Sequence, residues 1–209
     1  MNARTCALGG RIGVYGGSFD PVHIGHVAVA EVVREAFGLD TVMFVPAQQS
    51  PLKQSPAADA ADRVEMVRLA VSGLPWATVS TLEVSRPAPS YTVDTLRSLR
   101  EETGEAALFL IVGADILSDL ASWRDPAAIL CMATIVAVGR PGEVLAVPPS
   151  LDGLSRACPG RIRLLECQTP PTSSRAIRVA IQRGEAPGAQ VAPEVALYIA
   201  SHGLYGATS

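Results

Sequence analysis

Two histidines three residues apart, His23 and His26, close the segment Gly16-Gly17-Ser18-Phe19-Asp20-Pro21-Val22-His23-Ile24-Gly25-His26. At helical spacing they project from one face near the positive end of a helix, where an anion would be met. The apolar run Ile12-Gly13-Val14-Tyr15 before the segment reads as a buried strand, and the periodic stretch Val27 to Phe37 after it reads as a helix. A turn in that place aims backbone amides and the positive end of a helix dipole at an anion. Gly16 and Gly17 are expected to supply positive φ and a close backbone approach, and Gly25 to leave room for a ligand. Asp20 is expected to cap the helix, with Pro21 in its first turn.

Strands and helices must alternate to hold such a turn. Strands are expected at Ile12–Tyr15, Thr41–Pro46, Thr78–Val84, Ala107–Val112, Thr134–Val138 and Arg161–Leu165. Helices are expected at Val22–Phe37, Asp59–Val71, Thr92–Glu102, Asp125–Cys131, Ser173–Arg183 and Pro193–Ser201. The alternation predicts an α/β fold: a doubly wound parallel sheet with helices on both faces, in one domain spanning 1–209. Ligands of such sheets bind beyond the carboxyl ends of the strands, at the point where the strand order reverses. The first strand ends at Gly16 and a later one at Gly113-Ala114-Asp115, so both turns open onto one crevice if those strands are neighbours. The Pro-rich stretch Ala47–Ala58 reads as an active-site loop, and Gly139–Leu151 as a loose, mobile segment.

Ser173-Ser174-Arg175-Ala176-Ile177-Arg178 opens a late helix after a Pro-Pro break, with Ser173 as its cap and Arg178 one turn in, within reach of a phosphate. Ser90-Tyr91-Thr92 reads as another helix start, capped by Ser90, with free amides and the Thr92 hydroxyl available to a carboxylate. The net charge of −3 excludes a broad cationic surface, so no nucleic-acid partner is expected and phosphates must meet a local cluster. No apolar run approaches the ~20 residues of a membrane helix, and the first ten residues lack a secretory h-region, so no membrane partner is expected. Cys6, Cys131, Cys158 and Cys167 show no metal-ligand spacing and read as isolated buried thiols in a reducing cytoplasm. A homo-oligomer is left open.

The GGSFDPVHIGH segment resembles the (H/T)xGH box of nucleotidyltransferases, and its Gly-Gly-x-Phe-Asp-Pro form with a first histidine is most similar to the bacterial nicotinate-nucleotide adenylyltransferases. Further segments carry the same resemblance. Thr172-Ser173-Ser174-Arg175-Ala176-Ile177-Arg178 resembles the family's I-S-S-T-x-x-R box, with Thr172 and Arg175 as departures. Val45-Pro46 through Lys53 resembles its phosphate loop, Arg63 and Met66 the next helix, and Gly113-Ala114-Asp115 with Leu120 and Trp123 its G-x-D…L-x-x-W region. The resemblance implies a Rossmann-like fold and adenylyl transfer from ATP to nicotinate mononucleotide, giving deamido-NAD and pyrophosphate. It implies His23, His26, Lys53 and Arg178 as catalytic groups, with Gly16, Gly17, Ser18, Phe19, Gly25, Gly113, Asp115, Ser173 and Ser174 around ATP. Thr92 would take the acceptor's carboxylate, with Tyr91 beside it and Trp123 stacked on the pyridinium ring. Mg²⁺ would come with ATP, held by phosphates and water, with no protein metal site. Phosphopantetheine and nicotinamide-mononucleotide adenylyltransferases, and a non-catalytic nucleotide sensor of the same fold, are the alternatives.

Overall fold

The computed structural model describes residues 10–49 and 56–207. In chain order the elements are β1 (Arg11–Gly17), α1 (Ile24–Phe37), β2 (Thr41–Pro46), α2 (Ala60–Val71), β3 (Ala77–Val79), α3 (Thr92–Thr103) and β4 (Ala107–Gly113). They continue as α4 (Ala114–Leu117), α5 (Pro126–Met132), β5 (Ala133–Gly139), α6 (Asp152–Ala157), β6 (Ile162–Glu166), α7 (Ser174–Gln182) and α8 (Pro193–Ser201).

The six strands form one sheet in the order β3-β2-β1-β4-β5-β6, and every neighbouring pair is parallel. The chain winds outward from β1 through β2 to β3, then returns to lay β4 on the other side of β1. The order therefore reverses between β1 and β4, and the expected adjacency of the Gly16 and Gly113 turns holds. Both faces are covered, which is why the strands read as continuous apolar runs rather than alternating ones. In β4, Leu108 and Leu110 pack with Val93, Leu96, Leu99, Ile129 and Leu130 from α3 and α5. Phe109 and Ile111 face the opposite core, built from Ala30 and Val33 of α1, Met66 and Val67 of α2, Ile177 of α7 and Val195 of α8.

Most boundaries fall within two residues of expectation, but several features differ. β3 ends at Val79, where Thr78–Val84 was expected, because Ser80 Oγ accepts the Leu82 N–H and turns the chain inward. α1 begins at Ile24, two residues late, since His23 is its extended N-cap and Val22 is fully buried before it. The short α4 and α6 were not anticipated. Residues 140–148 carry no regular element, and Leu151 closes the stretch as a fully buried anchor. Among the described cysteines only Cys167 is buried; Cys158 is half-buried and Cys131 is exposed, so the buried-thiol reading holds at one position.

Candidate active site

A cavity of about 390 Å³ opens beyond the carboxyl ends of β1, β4 and β5. Tyr15, His23, Gly25, His26, Gly113 and Asp115 line one part of it, and Gly139, Arg140, Glu143, Cys167, Thr169 and Thr172 another. The two imidazoles stack, with centroids 3.7 Å apart and planes 23° from parallel. The His23 N–H donates to His26 Nδ1 at 3.2 Å, so a neutral His26 carries its proton on Nε2. Phe19 and Tyr15 meet the His26 ring edge-on, at centroid distances of 5.1 and 6.2 Å. His23 is 9% exposed, and burial pushes its pKa down to about 4. Its ring also faces the His26 backbone N–H in a capping-box arrangement at the start of α1.

The glycines act differently from expectation. Neither Gly16 nor Gly17 takes a positive φ; Phe19 does, at 48°. Gly17 is needed because a Cβ there would lie 3.0 Å from the Phe19 ring, which folds back over it. Gly16 faces open space. A Cβ on Gly25 would lie 3.1 Å from the His23 ring and 3.2 Å from the Thr172 methyl, so Gly25 admits close packing of the site's own wall as well as a ligand. Gly113 leaves room for the Asp115 carboxylate to fold back against it.

Asp20 does not cap α1. Its carboxylate, 6% exposed, accepts from the N–H groups of Ala57 and Ala58 at 2.8 and 3.0 Å and from the Tyr205 hydroxyl at 2.9 Å. Burial, then the Asp20 charge, holds the Tyr205 hydroxyl well above its ordinary pKa. Arg178 donates to the Asp20 carbonyl at 2.5 Å and lies 3.5 Å from its carboxylate. Ser173 caps α7 by accepting the Ala176 N–H at 3.2 Å, and Ser174 Oγ donates to the Pro21 carbonyl at 2.9 Å. The start of α7 is thus stitched to the Phe19–Pro21 turn, while Arg175 is exposed. Arg63, 1% exposed, donates to the carbonyls of Ala58, Ser18 and Gln48, a structural clamp.

Of the expected site residues, His23, His26, Gly25, Gly113 and Asp115 line the main cavity. Gly16, Gly17, Ser18, Phe19, Ser173, Ser174 and Arg178 form the turn and helix start behind it rather than its lining. Lys53 lies outside the described residues. Ser90 does not cap α3: Tyr91 is the N-cap residue and Ser90 Oγ accepts the Gln48 N–H instead. Tyr91 lies beneath the Arg124 guanidinium at 4.9 Å, and Arg124 pairs with Asp94 at 3.3 Å. Thr92 is the first residue of α3 and half-buried; Trp123 is half-buried against the α3–α5 core, with its indole N–H buried and unpartnered. These three acceptor-side residues lie apart from the lining of the main cavity.

Sequence reasoning missed Arg140 and Glu143, which wall the cavity from the end of β5; the Arg140 N–H donates to Glu143 Oε2 at 2.8 Å. The signal was present, since Val138-Gly139 repeats the strand-then-glycine pattern of Gly16 and Gly113, and a Cβ on Gly139 would collide with Leu145. Tyr205 was also missed: its hydroxyl reaches Asp20, 185 residues earlier.

A glycine-flanked crevice at the switch point of a 3-2-1-4-5-6 parallel sheet, with an imidazole pair at a helix start, defines a nucleotide-handling protein of the Rossmann-like class. The cytidylyltransferase-like family model matches residues 14–180. The chain is 43% identical over 195 residues to a probable nicotinate-nucleotide adenylyltransferase of Roseiflexus, covering 93% of this chain and 97% of that one. It is 41% identical over 197 residues to a probable nicotinate-nucleotide adenylyltransferase of Thermus thermophilus, covering 93% and 99%. Its fold matches Plasmodium falciparum nicotinic acid mononucleotide adenylyltransferase complexed with NaAD, with a TM-score of 0.75 at 18% identity over 95% of this chain and 98% of that one. The chain belongs to the cytidylyltransferase-like family, and within it to the nicotinate-nucleotide adenylyltransferases.

Proposed function

We propose that the protein transfers the adenylyl group of ATP to nicotinate mononucleotide, releasing deamido-NAD and pyrophosphate. The observation that carries this reading is the stacked histidine pair at the switch-point cavity. The names of the relatives support the choice of reaction.

The acceptor's phosphate oxygen is already anionic at neutral pH, so the reaction needs alignment and charge stabilisation rather than a general base. Burial keeps His23 neutral at pH 7 in the free protein, so it offers a directed N–H rather than a fixed charge. An entering anion would raise its pKa toward the charged form. His26, with Nδ1 occupied by the His23 N–H, offers Nε2–H. The Gly16–Phe19 amides and Lys53 complete the phosphate side. Arg178 joins them by turning from Asp20, whose carbonyl and carboxylate hold it in the free protein. Asp115 would accept from a ribose hydroxyl.

Mg²⁺ belongs to the same proposal. It would be carried into the site by the nucleotide's phosphates and water. When bound, it neutralises charge on the triphosphate. A cytoplasmic setting is proposed with it; among the described residues no helix is long and apolar enough to cross a membrane.

The test is pyrophosphate release with ATP and nicotinate mononucleotide, nicotinamide mononucleotide or phosphopantetheine in parallel. Release with the first acceptor above the other two supports the reading; release with phosphopantetheine alone, or with none, overturns it.

A further inference from the structure

Glu83 is a buried carboxylate that no step above uses. It lies in the turn after β3, 8% exposed, and accepts a 2.7 Å hydrogen bond from Thr95 Oγ1 in α3. Burial raises the Glu83 pKa, while the hydroxyls of Thr95 and Ser90 and the Arg86 charge oppose that rise. Ser90 Oγ also accepts the Gln48 N–H at 3.2 Å, and the Ser90 N–H donates to the Gln49 carbonyl at 3.0 Å. The Ser90 hydroxyl accepts from Gln48 through a lone pair, so its single proton is left to turn toward Glu83. The Gln48 carbonyl accepts from Arg63 Nη2 at 3.2 Å, and Arg63 Nη1 donates to the Ser18 carbonyl at 2.7 Å. Hydrogen bonds thus run from Ser90 through Gln48 and Arg63 to Ser18, and Glu83, held by Thr95, lines the same small cavity as Ser90.

A cavity of about 200 Å³ opens among Glu83, Arg86, Ser90, Tyr91 and Thr95, so on this side of the joint hydrogen bonds supplement the packing of Leu82 and Tyr91 against the core. A buried carboxylate is a costly way to fill space, and an apolar residue would fill it more favourably. What the carboxylate adds is direction: it receives the Thr95 hydroxyl and lines one cavity with Ser90, on the two sides of the Tyr91–Thr92 segment.

We propose that Glu83 and Ser90 are positioning residues that hold Tyr91 and Thr92 in register with the Gly16–Phe19 turn and thereby set affinity for the acceptor nucleotide. The inference rests on the reading that Thr92 and its neighbours take nicotinate mononucleotide. Neither residue is assigned contact with substrate.

The experiment compares Ser90→Ala, Ser90→Thr and Glu83→Gln in the full chain, with melting temperature as the control for folding. Ser90→Ala should raise the KM for nicotinate mononucleotide about tenfold and that for ATP less than about twofold, because only one substrate's site loses its register. Ser90→Thr, which keeps the hydroxyl, should recover most of the acceptor affinity. An unchanged acceptor KM in folded Ser90→Ala, or equal rises for both substrates, overturns the proposal. Amide hydrogen exchange gives a readout without turnover: Gln48 and the Tyr91–Thr95 amides should exchange faster together in Ser90→Ala, and unchanged protection at Gln48 overturns the link. If the wild-type enzyme makes no deamido-NAD, the functional reading falls, while hydrogen exchange still decides this one. Should Ser90→Ala fail to fold, the near-isosteric Glu83→Gln carries the same measurements.

Discussion

The phosphate side and the acceptor side of the site are built to different standards of rigidity. At the phosphate side, Asp20 accepts from residues 37, 38 and 185 positions away, and Arg63 ties three separate carbonyls together. The 57–58 segment, α2, α7 and Tyr205 converge on Ser18, Asp20 and Pro21, and the Phe19 ring between them meets His26 edge-on. At the acceptor side, Tyr91 rests under an exposed arginine, Thr92 opens a helix without a side-chain cap, and Trp123 presents one half-buried face. The difference suits the chemistry. Charge stabilisation of a transition state needs donors fixed before the reaction, whereas an acceptor must enter and leave.

The sharpest way to break that contrast is to cut the clamp. Arg63→Met keeps bulk but strands the carbonyls of Ala58, Ser18 and Gln48 without their donor. Losing a buried charged donor to several acceptors costs about 4 kcal/mol of folding free energy. Chemical denaturation should show that loss, and a drop below about 1 kcal/mol would mean the phosphate side is no more rigid than its counterpart.

Next in size is the imidazole pair. His26→Ala should lower kcat roughly a hundredfold, about 3 kcal/mol of transition-state stabilisation, with a smaller change in ATP affinity. Near-normal turnover in a folded His26→Ala protein would remove the histidines from the chemistry.

Much of this architecture was legible in the residues. Strand–helix alternation and the histidine face follow from short-range patterns of period and type, whereas the adjacency of β1 and β4 rested on the family resemblance. What escaped depends on partners far away in sequence. Asp20 looked like a helix cap because local rules offer a carboxylate before a helix nothing better to do; Ala57, Ala58 and Tyr205 outbid the helix only once the chain has folded. Ser90 was misread as a cap for the same reason, since its Gln48 partner lies 42 residues upstream. The positive φ fell at Phe19 rather than at either glycine, because the aromatic ring must fold over Gly17 to reach His26. Arg140 and Glu143 come from an irregular stretch with no periodicity to read, although Gly139 marked where that stretch begins.

A pH titration probes the phosphate side more gently. His23 has a folded-state pKa of about 4, below the ordinary 6.5. Its stabilising contribution is therefore complete above pH 6.5 and is lost as pH falls toward 4, because the unfolded chain binds the proton first. Between pH 7 and pH 5 wild type should lose up to about 2 kcal/mol more stability than His23→Gln, which cannot titrate there. Added pyrophosphate should shrink the gap, since an anion in the cavity favours the imidazolium. Equal acid sensitivity of the two proteins would show that His23 is as solvated as an ordinary surface histidine.

The smallest expected effect falls on the looser side, where it discriminates most. A carboxylate meeting the free amides of α3 and the Thr92 hydroxyl gains charge-assisted hydrogen bonds, whereas a carboxamide brings N–H donors to face donors. Nicotinate mononucleotide should be preferred over nicotinamide mononucleotide by at least about tenfold in kcat/KM, close to 1.4 kcal/mol. Thr92→Ala should weaken the acid form more than the amide and narrow that preference, while the remaining amides keep some of it. Trp123→Ala should weaken both forms alike, because ring stacking does not distinguish them. The two variants separate charge recognition from ring recognition on neighbouring residues. If Trp123→Ala narrows the preference as much as Thr92→Ala does, selectivity comes from the shape of the whole acceptor side, and the carboxylate has no dedicated donor at Thr92. Equal use of both mononucleotides by wild type would remove acid selectivity from this side of the site altogether.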